Sequence, residues 1–251
     1  MQHSLTIHYT PLPQCPVHEL RMWRNAFEAE LAHWLGTRQW EHVHRFGRDS
    51  LGREAAGLDV MKAALSRLLA RALCITSAAL HGVPQQQLRM DDRGRPVLEG
   101  WLVAFSHSGQ AAFCAMAPAG QAGPALGLDA EALASTPPHA SAFAEHELSA
   151  PKPLAQECAN REALRRWTIK EAMLKAAGLG LGMQPALIPT GRFGQRAGLW
   201  RGPLGQLGWR TLACPGHWLC VAQAGHVPSG RIVLQAQNLR TLLQSLADLQ
   251  Q

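Results

Sequence analysis

Apolar residues recur at intervals of three and four along two segments in the first half of the chain, which is the spacing of an amphipathic helix. These segments are residues 18–35 and residues 51–74. Gly57 lies inside the second predicted helix, where a glycine costs about 1 kcal/mol relative to alanine. Its presence indicates either that a neighbouring backbone or a ligand approaches closely there, or that the helix tolerates it.

Apolar runs on both sides of a short turn predict two β-hairpins. In the first, the polar turn Ser106-His107-Ser108-Gly109 separates residues 101–105 from residues 111–117. A second hairpin is predicted around Pro215-Gly216. Because residues 118–124 have the composition of a linker, the two hairpins indicate two lobes.

The second half of the chain predicts one long and one short helix. The long helix covers residues 160–177, with Asn160 able to cap its start and Gly178 just past its end. The short amphipathic helix covers residues 239–249. Residues 135–153 are rich in Pro, Ser and Ala and predict a mobile or partly helical connection.

The composition is that of a soluble globular protein, with 251 residues of which 47% are hydrophobic and 17% are charged. We therefore predict an α+β fold, a pseudo-dimer of two similar lobes (residues 1–123 and 124–251), each an antiparallel sheet packed with helices. The most apolar helical stretch, residues 63–80, is interrupted by Arg67 and Arg71, and the first residues lack the pattern of a secretion signal. We expect a cytoplasmic protein that spans no membrane.

The charge balance predicts an acidic ligand or partner. Lys and Arg number 24 against 18 Asp and Glu, which gives a net charge of +6 and a pI near 9.3. Nucleic acid, a polyphosphate ligand and an acidic protein all fit this charge. No run of Lys and Arg alternates with aromatic residues, which argues against nucleic acid. The six cysteines form no C-x-x-C pair, so we expect buried thiols in a reducing compartment instead of a zinc site.

Asp129 and Glu131 lie two residues apart at the end of an apolar run. In an extended strand alternate side chains share a face, so both carboxylates point to the same side as the bare backbone of Gly127. Like charges so placed repel unless a cation lies between them or one is protonated, and carboxylate oxygens suit Mg²⁺. The alternative is a strand that ends in two solvated acids.

Trp167, Glu171 and Lys175 are spaced by four along the long predicted helix, so their side chains share one face. A Glu four residues before a Lys is also the ordinary order of a surface ion pair. An acid and a base beside a tryptophan and Leu164 are more typical of a helix that lines a cleft. The glycines at 178, 180 and 182 follow this helix and do not match G-x-G-x-x-G, so they predict no dinucleotide site.

Ser106 and His107 are the third candidate pair. A serine beside a histidine suggests a nucleophile and its base, but neighbours in sequence rarely hold the geometry that a catalytic triad needs. Hydroxyls, an imidazole and backbone N–H groups at a tight turn suit phosphate binding better. The alternative is an ordinary polar turn.

Together these motifs resemble those of the 4'-phosphopantetheinyl transferase superfamily, in particular its larger single-chain, two-lobe type that activates surfactin synthetase. The family motif G-x-D-x-E appears at residues 127–131, and W-x-x-K-E-A-x-x-K at residues 167–175. The resemblance spans about residues 45–224. The shorter matching motifs are Gly94-Arg95-Pro96, Ser106-His107-Ser108, Arg45-Phe46 with Arg53 and Gly57, and Phe143 with Glu147.

The resemblance implies the transfer of the 4'-phosphopantetheine arm of coenzyme A to a serine of an acyl or peptidyl carrier protein, with release of 3',5'-ADP. It implies that Asp129, Glu131 and Glu171 hold Mg²⁺, or Mn²⁺ in its place. It also implies that Asp129, Glu171 and Lys175 are catalytic. Lys175 would neutralise phosphate charge, and Glu171 is the first choice for the base that takes the serine proton.

The same resemblance implies that Arg53 and Arg95 bind the nucleotide end of coenzyme A, with Ser106 and His107 on its phosphates. It places the active site in the cleft between the two lobes. Carrier proteins of this family are acidic, in agreement with the basic charge of the chain. Because a fused two-lobe chain completes its own site, we expect a monomer that binds neither nucleic acid nor membranes.

The chain departs from the family just before Arg45. The lysines that reach the 3'-phosphate of coenzyme A in relatives are absent, and Arg38, Gln39, His42 and His44 occupy this region. Arg38 or His42 replaces them, or coenzyme A binds with altered affinity.

A different class of function is a non-catalytic module that binds coenzyme A or a carrier protein. The complete set of Asp129, Glu131, Glu171 and Lys175 argues against it, because a module without activity needs no metal ligands.

Overall fold

The computed structural model describes residues 4–45, 57–83, 88–120, 125–148, 155–179, 182–203 and 205–250. The helices in these ranges are α1 (Val17–Leu31), α2 (Thr37–Arg45), α3 (Leu58–Leu80), α4 (Glu145–Leu148), α5 (Gln156–Ala177) and α6 (Leu239–Asp248). The strands are β1 (Ser4–Pro11), β2 (Arg89–Met90), β3 (Pro96–Leu98), β4 (Trp101–His107), β5 (Ala111–Pro118), β6 (Leu126–Ala132), β7 (Ala197–Gly202), β8 (Gly205–Cys214), β9 (His217–Ala224) and β10 (Arg231–Ala236). Two sheets packed with helices confirm the predicted α+β class.

The chain divides into two compact units. The N-terminal unit comprises Ser4–Ala117 together with Arg231–Gln251, and the C-terminal unit comprises Pro118–Gly230. The division predicted from sequence placed residues 231–251 in the second lobe. The structure differs there because β10 pairs in parallel with β1, from Ser4↔Arg231 to Tyr9↔Ala236, and α6 packs on α3.

The N-terminal unit is a six-stranded sheet in the order β10-β1-β5-β4-β3-β2. The predicted first hairpin is confirmed as neighbouring strands β4 and β5, closed by a bond from the Ser108 N–H to the Ala111 carbonyl, 2.9 Å long. Helix α3 supplies much of the core with its leucines, and Phe27 and Leu31 of α1 join it. By length and composition α3 is apolar enough to cross a membrane, but 83% of its most apolar window is buried in the fold, which is typical of a core helix.

Helix α5 ends where it was predicted to end, whereas α3 runs to Leu80, six residues past the predicted end at residue 74, and both helices start elsewhere than predicted. Helix α3 begins after Gly57, whose extended backbone (ψ 147°) places it before the helix, so the position predicted for it inside the helix is wrong. Helix α5 begins at Gln156 after Ala155, so Asn160 does not cap it. Its end is confirmed, because Gly178 adopts the left-handed conformation (φ 69°) that closes a helix.

The C-terminal unit is an antiparallel sheet in the order β6-β9-β8-β7, with α5 packed on one face. The predicted second hairpin is confirmed as β8 and β9. Ile169 and Met173 of α5 share a buried cluster with Trp209, Cys220 and Ala222 of the sheet. This packing determines which face of β6 the helix covers.

Candidate active site

Strand β6 carries the predicted carboxylates on the face that α5 covers. Gly127 pairs with Ala222 on β9 and Asp129 pairs with Cys220. Directly paired residues project from the same face of an antiparallel sheet. Because Cys220 and Ala222 lie in the cluster under α5, Gly127, Asp129 and Glu131 face α5 as well.

Gly127 allows α5 to lie directly on this strand. A β carbon at this position would overlap the carbonyl oxygen of Ala172 and lie 2.6 Å from the nitrogen of Ala176. No side chain fits between the two backbones without a shift of the helix. The glycine of the G-x-D-x-E motif therefore determines how closely the helix approaches the two carboxylates.

This approach brings Lys175 to Asp129. The Lys175 Nζ atom donates to the Asp129 Oδ1 atom over 2.6 Å. Asp129 is 4% exposed, whereas the lysine side chain is 35% exposed. The lysine thus pairs with a buried carboxylate while its own side chain is partly exposed to solvent.

Glu131 is held from the helix side by Trp167, whose indole donates a hydrogen bond to the carboxylate. Burial, together with the charges of Asp129 and Glu171, raises the pKa of Glu131 to about 7, against the opposing effects of Lys175 and Trp167. Sequence spacing correctly placed Trp167 on this helix face. The hydrogen bond to Glu131 was not predicted, because it depends on the direction in which the indole points.

Glu171 completes a group of three neighbouring carboxylates. Burial, followed by the charge of Asp129, raises the pKa of Glu171, and Lys175 opposes the rise. Its buried Oε1 atom accepts no hydrogen bond within the described parts of the chain. The site therefore combines crowded negative charge with an unused acceptor.

The donors suit a hard divalent cation, although they do not form a closed ligand cage. Across the described residues, no group of three or more His, Cys, Asp and Glu side chains has metal-binding geometry. Mg²⁺ needs only one or two carboxylates, since water and phosphate oxygens complete its shell. The mutual repulsion of Asp129, Glu131 and Glu171 and the unused oxygen of Glu171 fit such an ion. The metal roles of the three residues stay predictions.

A comparison with protein families identifies this region. Residues 125–206 match the family model of the 4'-phosphopantetheinyl transferase superfamily. The chain carries a domain of this superfamily. The match confirms the predicted resemblance to the superfamily over 82 of the 251 residues and supports a phosphopantetheinyl transferase enzyme, whereas the two-lobe subtype stays a prediction. The comparison with curated proteins returns no match.

The region matched by the family model holds a second polar cluster, which the sequence did not predict. Glu147 lies 2.7 Å from the Lys170 ammonium and accepts hydrogen bonds from the hydroxyl and N–H of Thr190. Lys170 is fully buried, donates to the Ile188 carbonyl over 2.6 Å and lies over the Phe143 ring. Lys170 precedes Glu171 by one residue and so lies about 100° around the helix from it. The Phe143 and Glu147 motif therefore anchors α5 from another side.

The other residues that were predicted to bind coenzyme A belong to the N-terminal unit. Ser106 is buried and His107 exposed at the end of β4. Arg95 donates through Nε to Asp91 over 2.8 Å, and Asp91 also accepts the backbone N–H groups of Arg93 and Arg95, so Asp91 shapes this turn. Arg53 lies outside the described residues. The binding roles of all four predicted residues stay predictions.

A buried arginine on α3, whose contacts sequence reasoning missed, holds the segment that departs from the family. Arg71 donates to Gln39 over 2.8 Å and bonds the Nδ1 atom of His42 over 3.1 Å. Its guanidinium lies 5.2 Å from the centre of the Phe105 ring. Arg38 instead pairs with Asp92 on the surface. Gln39 and His42 are thus tied into the fold of the N-terminal unit.

Proposed function

We propose that this protein transfers the 4'-phosphopantetheine arm of coenzyme A to a serine of an acyl or peptidyl carrier protein. The serine oxygen forms a bond to the phosphorus that carries the pantetheine arm. The bond from that phosphorus to the bridging oxygen breaks, and 3',5'-ADP leaves. The observation that carries the proposal is the contact of Lys175 with Asp129, where α5 lies directly against Gly127 inside the region matched by the superfamily model.

Charge neutralisation is the first task of such a site, because the diphosphate and its leaving group are negative. Lys175 is suited to it, since its side chain is partly exposed and its ammonium group lies 2.6 Å from Asp129. When bound, Mg²⁺ supplies further positive charge to the phosphate oxygens. Asp129, Glu131 and Glu171 would hold the ion.

Removal of the serine proton is the second task. Glu171 is the best candidate, because its raised pKa increases its affinity for a proton and its Oε1 atom is unused in the fold. A serine hydroxyl that donates to this oxygen would satisfy the buried acceptor and transfer its proton to it. Lys175, four residues along the same helix, would lie beside the phosphate under attack.

The substrates follow from the family resemblance and the charge. The net charge of +6 suits coenzyme A and an acidic carrier protein. Arg53, Arg95, Ser106 and His107 are the proposed contacts to the nucleotide end and phosphates of coenzyme A. We place the reaction in the cytoplasm and expect a monomer.

Intact-mass analysis tests the proposal. A panel of apo carrier proteins is incubated with the protein, coenzyme A and Mg²⁺, with a chelator in a parallel sample. We expect a metal-dependent gain of one phosphopantetheine arm on at least one carrier. Glu171→Gln should lose this gain and keep its fold. Glu157→Gln, an exposed position at the start of the same helix, is the matched control and should stay active.

The same experiment tests the alternative function. Binding of coenzyme A without a mass gain on any carrier would favour a non-catalytic binding module. Full activity of Glu171→Gln would remove the base assignment but leave the transfer reaction standing.

A further inference from the structure

A second tryptophan flanks the carboxylates from the sheet. Trp218 on β9 pairs directly with Glu131 on β6. Side chains paired in this way share a face, with β carbons about 4.5–5.5 Å apart. Trp218 therefore lies beside Glu131 on the face of the sheet that carries Asp129.

The indole N–H of Trp218 has no acceptor in the fold. Its Nε1 atom is buried, and no hydrogen-bond partner reaches it from the residues that the structure describes. Buried polar groups nearly always have a partner, so an exception requires an explanation. Trp167 provides the contrast, because its indole donates to the carboxylate of Glu131. Of the two tryptophans beside this carboxylate, the one on the sheet keeps its donor unused.

An unused acceptor belongs to the same group of residues. The Oε1 atom of Glu171 is buried and has no donor among the described residues. The burial of one unmatched donor and one unmatched acceptor is unfavourable in the free protein. Both would be satisfied by substrates that bring an acceptor oxygen to Trp218 and a hydroxyl to Glu171. A phosphate oxygen and the serine hydroxyl have these properties.

We propose that Trp218 is a substrate-binding residue whose indole N–H donates to a phosphate oxygen of the coenzyme A diphosphate. This assignment rests on the proposed function, which supplies the diphosphate. An indole N–H is a neutral group that only donates. It therefore adds a directional contact to the phosphate without changing the charge of the carboxylate group.

The substitution Trp218→Phe tests this role, because it keeps an aromatic ring and removes the donor. We expect the Kd for coenzyme A with Mg²⁺, measured by calorimetry, to rise about tenfold, as for the loss of a hydrogen bond to a charged oxygen. The urea midpoint of the free protein should not fall, because the N–H is unbonded there. Trp200→Phe on β7, the strand at the other edge of the sheet from β6, is the matched control and should keep the original Kd. An unchanged Kd in Trp218→Phe would overturn the proposal.

A second measurement does not depend on transfer to a carrier protein. The indole N–H resonance of Trp218 is assigned in a ¹⁵N-labelled sample by its loss in Trp218→Phe. We expect this resonance to move downfield when inorganic pyrophosphate is added with Mg²⁺, and to stay in place with Mg²⁺ alone. A shift with Mg²⁺ alone, or no shift with pyrophosphate, would overturn the phosphate assignment. A shift with pyrophosphate in a protein that modifies no carrier would support the role of Trp218 and disprove the transfer reaction.

Discussion

Gly127 and Ala172 bring the backbones of β6 and α5 into direct contact. The β carbon of any other residue at position 127 would overlap the Ala172 carbonyl oxygen. Glu171 precedes Ala172 and Lys175 follows one turn later, so the contact sets the distance between the helix face and the strand carboxylates. A packing requirement and the proposed chemistry therefore depend on the same glycine.

Gly127→Ala should damage both stability and activity. The extra methyl group forces α5 away from β6, and overpacking of this kind costs about 1–3 kcal/mol in the free energy of unfolding. A displacement of catalytic groups by about 1 Å can lower the rate by about 100-fold. Urea unfolding and kcat/KM for carrier modification measure the two effects. Gly36→Ala is the control, because a β carbon there meets only an ordinary contact of 3.6 Å with the Leu88 oxygen.

Glu147 and Lys170 should show strong energetic coupling. Both side chains are fully buried in the pair, so removal of Glu147 leaves the Lys170 ammonium without its carboxylate, and removal of Lys170 leaves Glu147 with the more distant Arg166, 3.5 Å away. Lys170→Met or Glu147→Leu alone should cost about 3–5 kcal/mol in the free energy of unfolding, and the double variant should cost much less than their sum. A double-mutant cycle in urea measures this. Additive costs would show that the pair is not coupled.

Protonation of His8 should destabilise the fold in mild acid. Burial, with a smaller effect of His81, lowers the pKa of His8 from 6.5 to about 4, and its ring is bonded to Ser77 and Gln237. Between pH 4 and pH 6.5 His8 is therefore protonated in the unfolded chain but neutral in the folded protein. The free energy of unfolding should therefore fall as the pH drops below 6.5, by up to about 1.4 kcal/mol per pH unit.

The pH dependence of urea unfolding measures this effect against His8→Gln, in which the contribution should disappear. His139→Gln is the control, because this histidine is exposed. Equal slopes for the wild-type protein and His8→Gln between pH 4 and 6.5 would contradict the assignment.

Glu131→Gln should stabilise the protein above neutral pH. Because the pKa of Glu131 rises from 4.5 to about 7 on folding, the folded state binds more protons in this interval, and the carboxylate destabilises the fold as the pH rises through it. The variant should have a higher urea midpoint than the wild type at pH 8 and a smaller difference at pH 4.5. A lower midpoint at pH 8 would show that the charged carboxylate is stabilising there.

Asp129→Ala should remove both the transfer activity and its metal dependence. The substitution removes the acceptor of the Lys175 hydrogen bond and one proposed Mg²⁺ ligand. Thermal unfolding with and without Mg²⁺ supplies a measurement independent of turnover, since a ligand that binds the folded state raises the Tm. We expect Mg²⁺ to raise the Tm of the wild type but not of Asp129→Ala. Full activity of the variant without metal would contradict the proposed site.

The helix starts show why some boundaries could not be predicted. Neither Gly57 before α3 nor Ala155 before α5 makes a side-chain capping bond. Alanine is a poor N-cap residue, so nothing at position 155 marks the start of α5 in the sequence. Asn160 has the chemistry of a cap and still lies inside α5. The end of α5 was predictable because Gly178 meets a local backbone requirement that favours glycine.

Local spacing along the chain was enough to predict which candidate residues share a face. Strand alternation placed Gly127, Asp129 and Glu131 together, and helix spacing placed Trp167, Glu171 and Lys175 together, since both follow from local backbone geometry. The meeting of these two faces, and the position of Trp218 opposite Glu131, depend on tertiary packing. The same holds for the contact of Glu147 with Lys170 and for the return of residues 231–251 to the N-terminal unit. These contacts join residues far apart in the chain, so they depend on how whole elements pack, which local spacing does not encode.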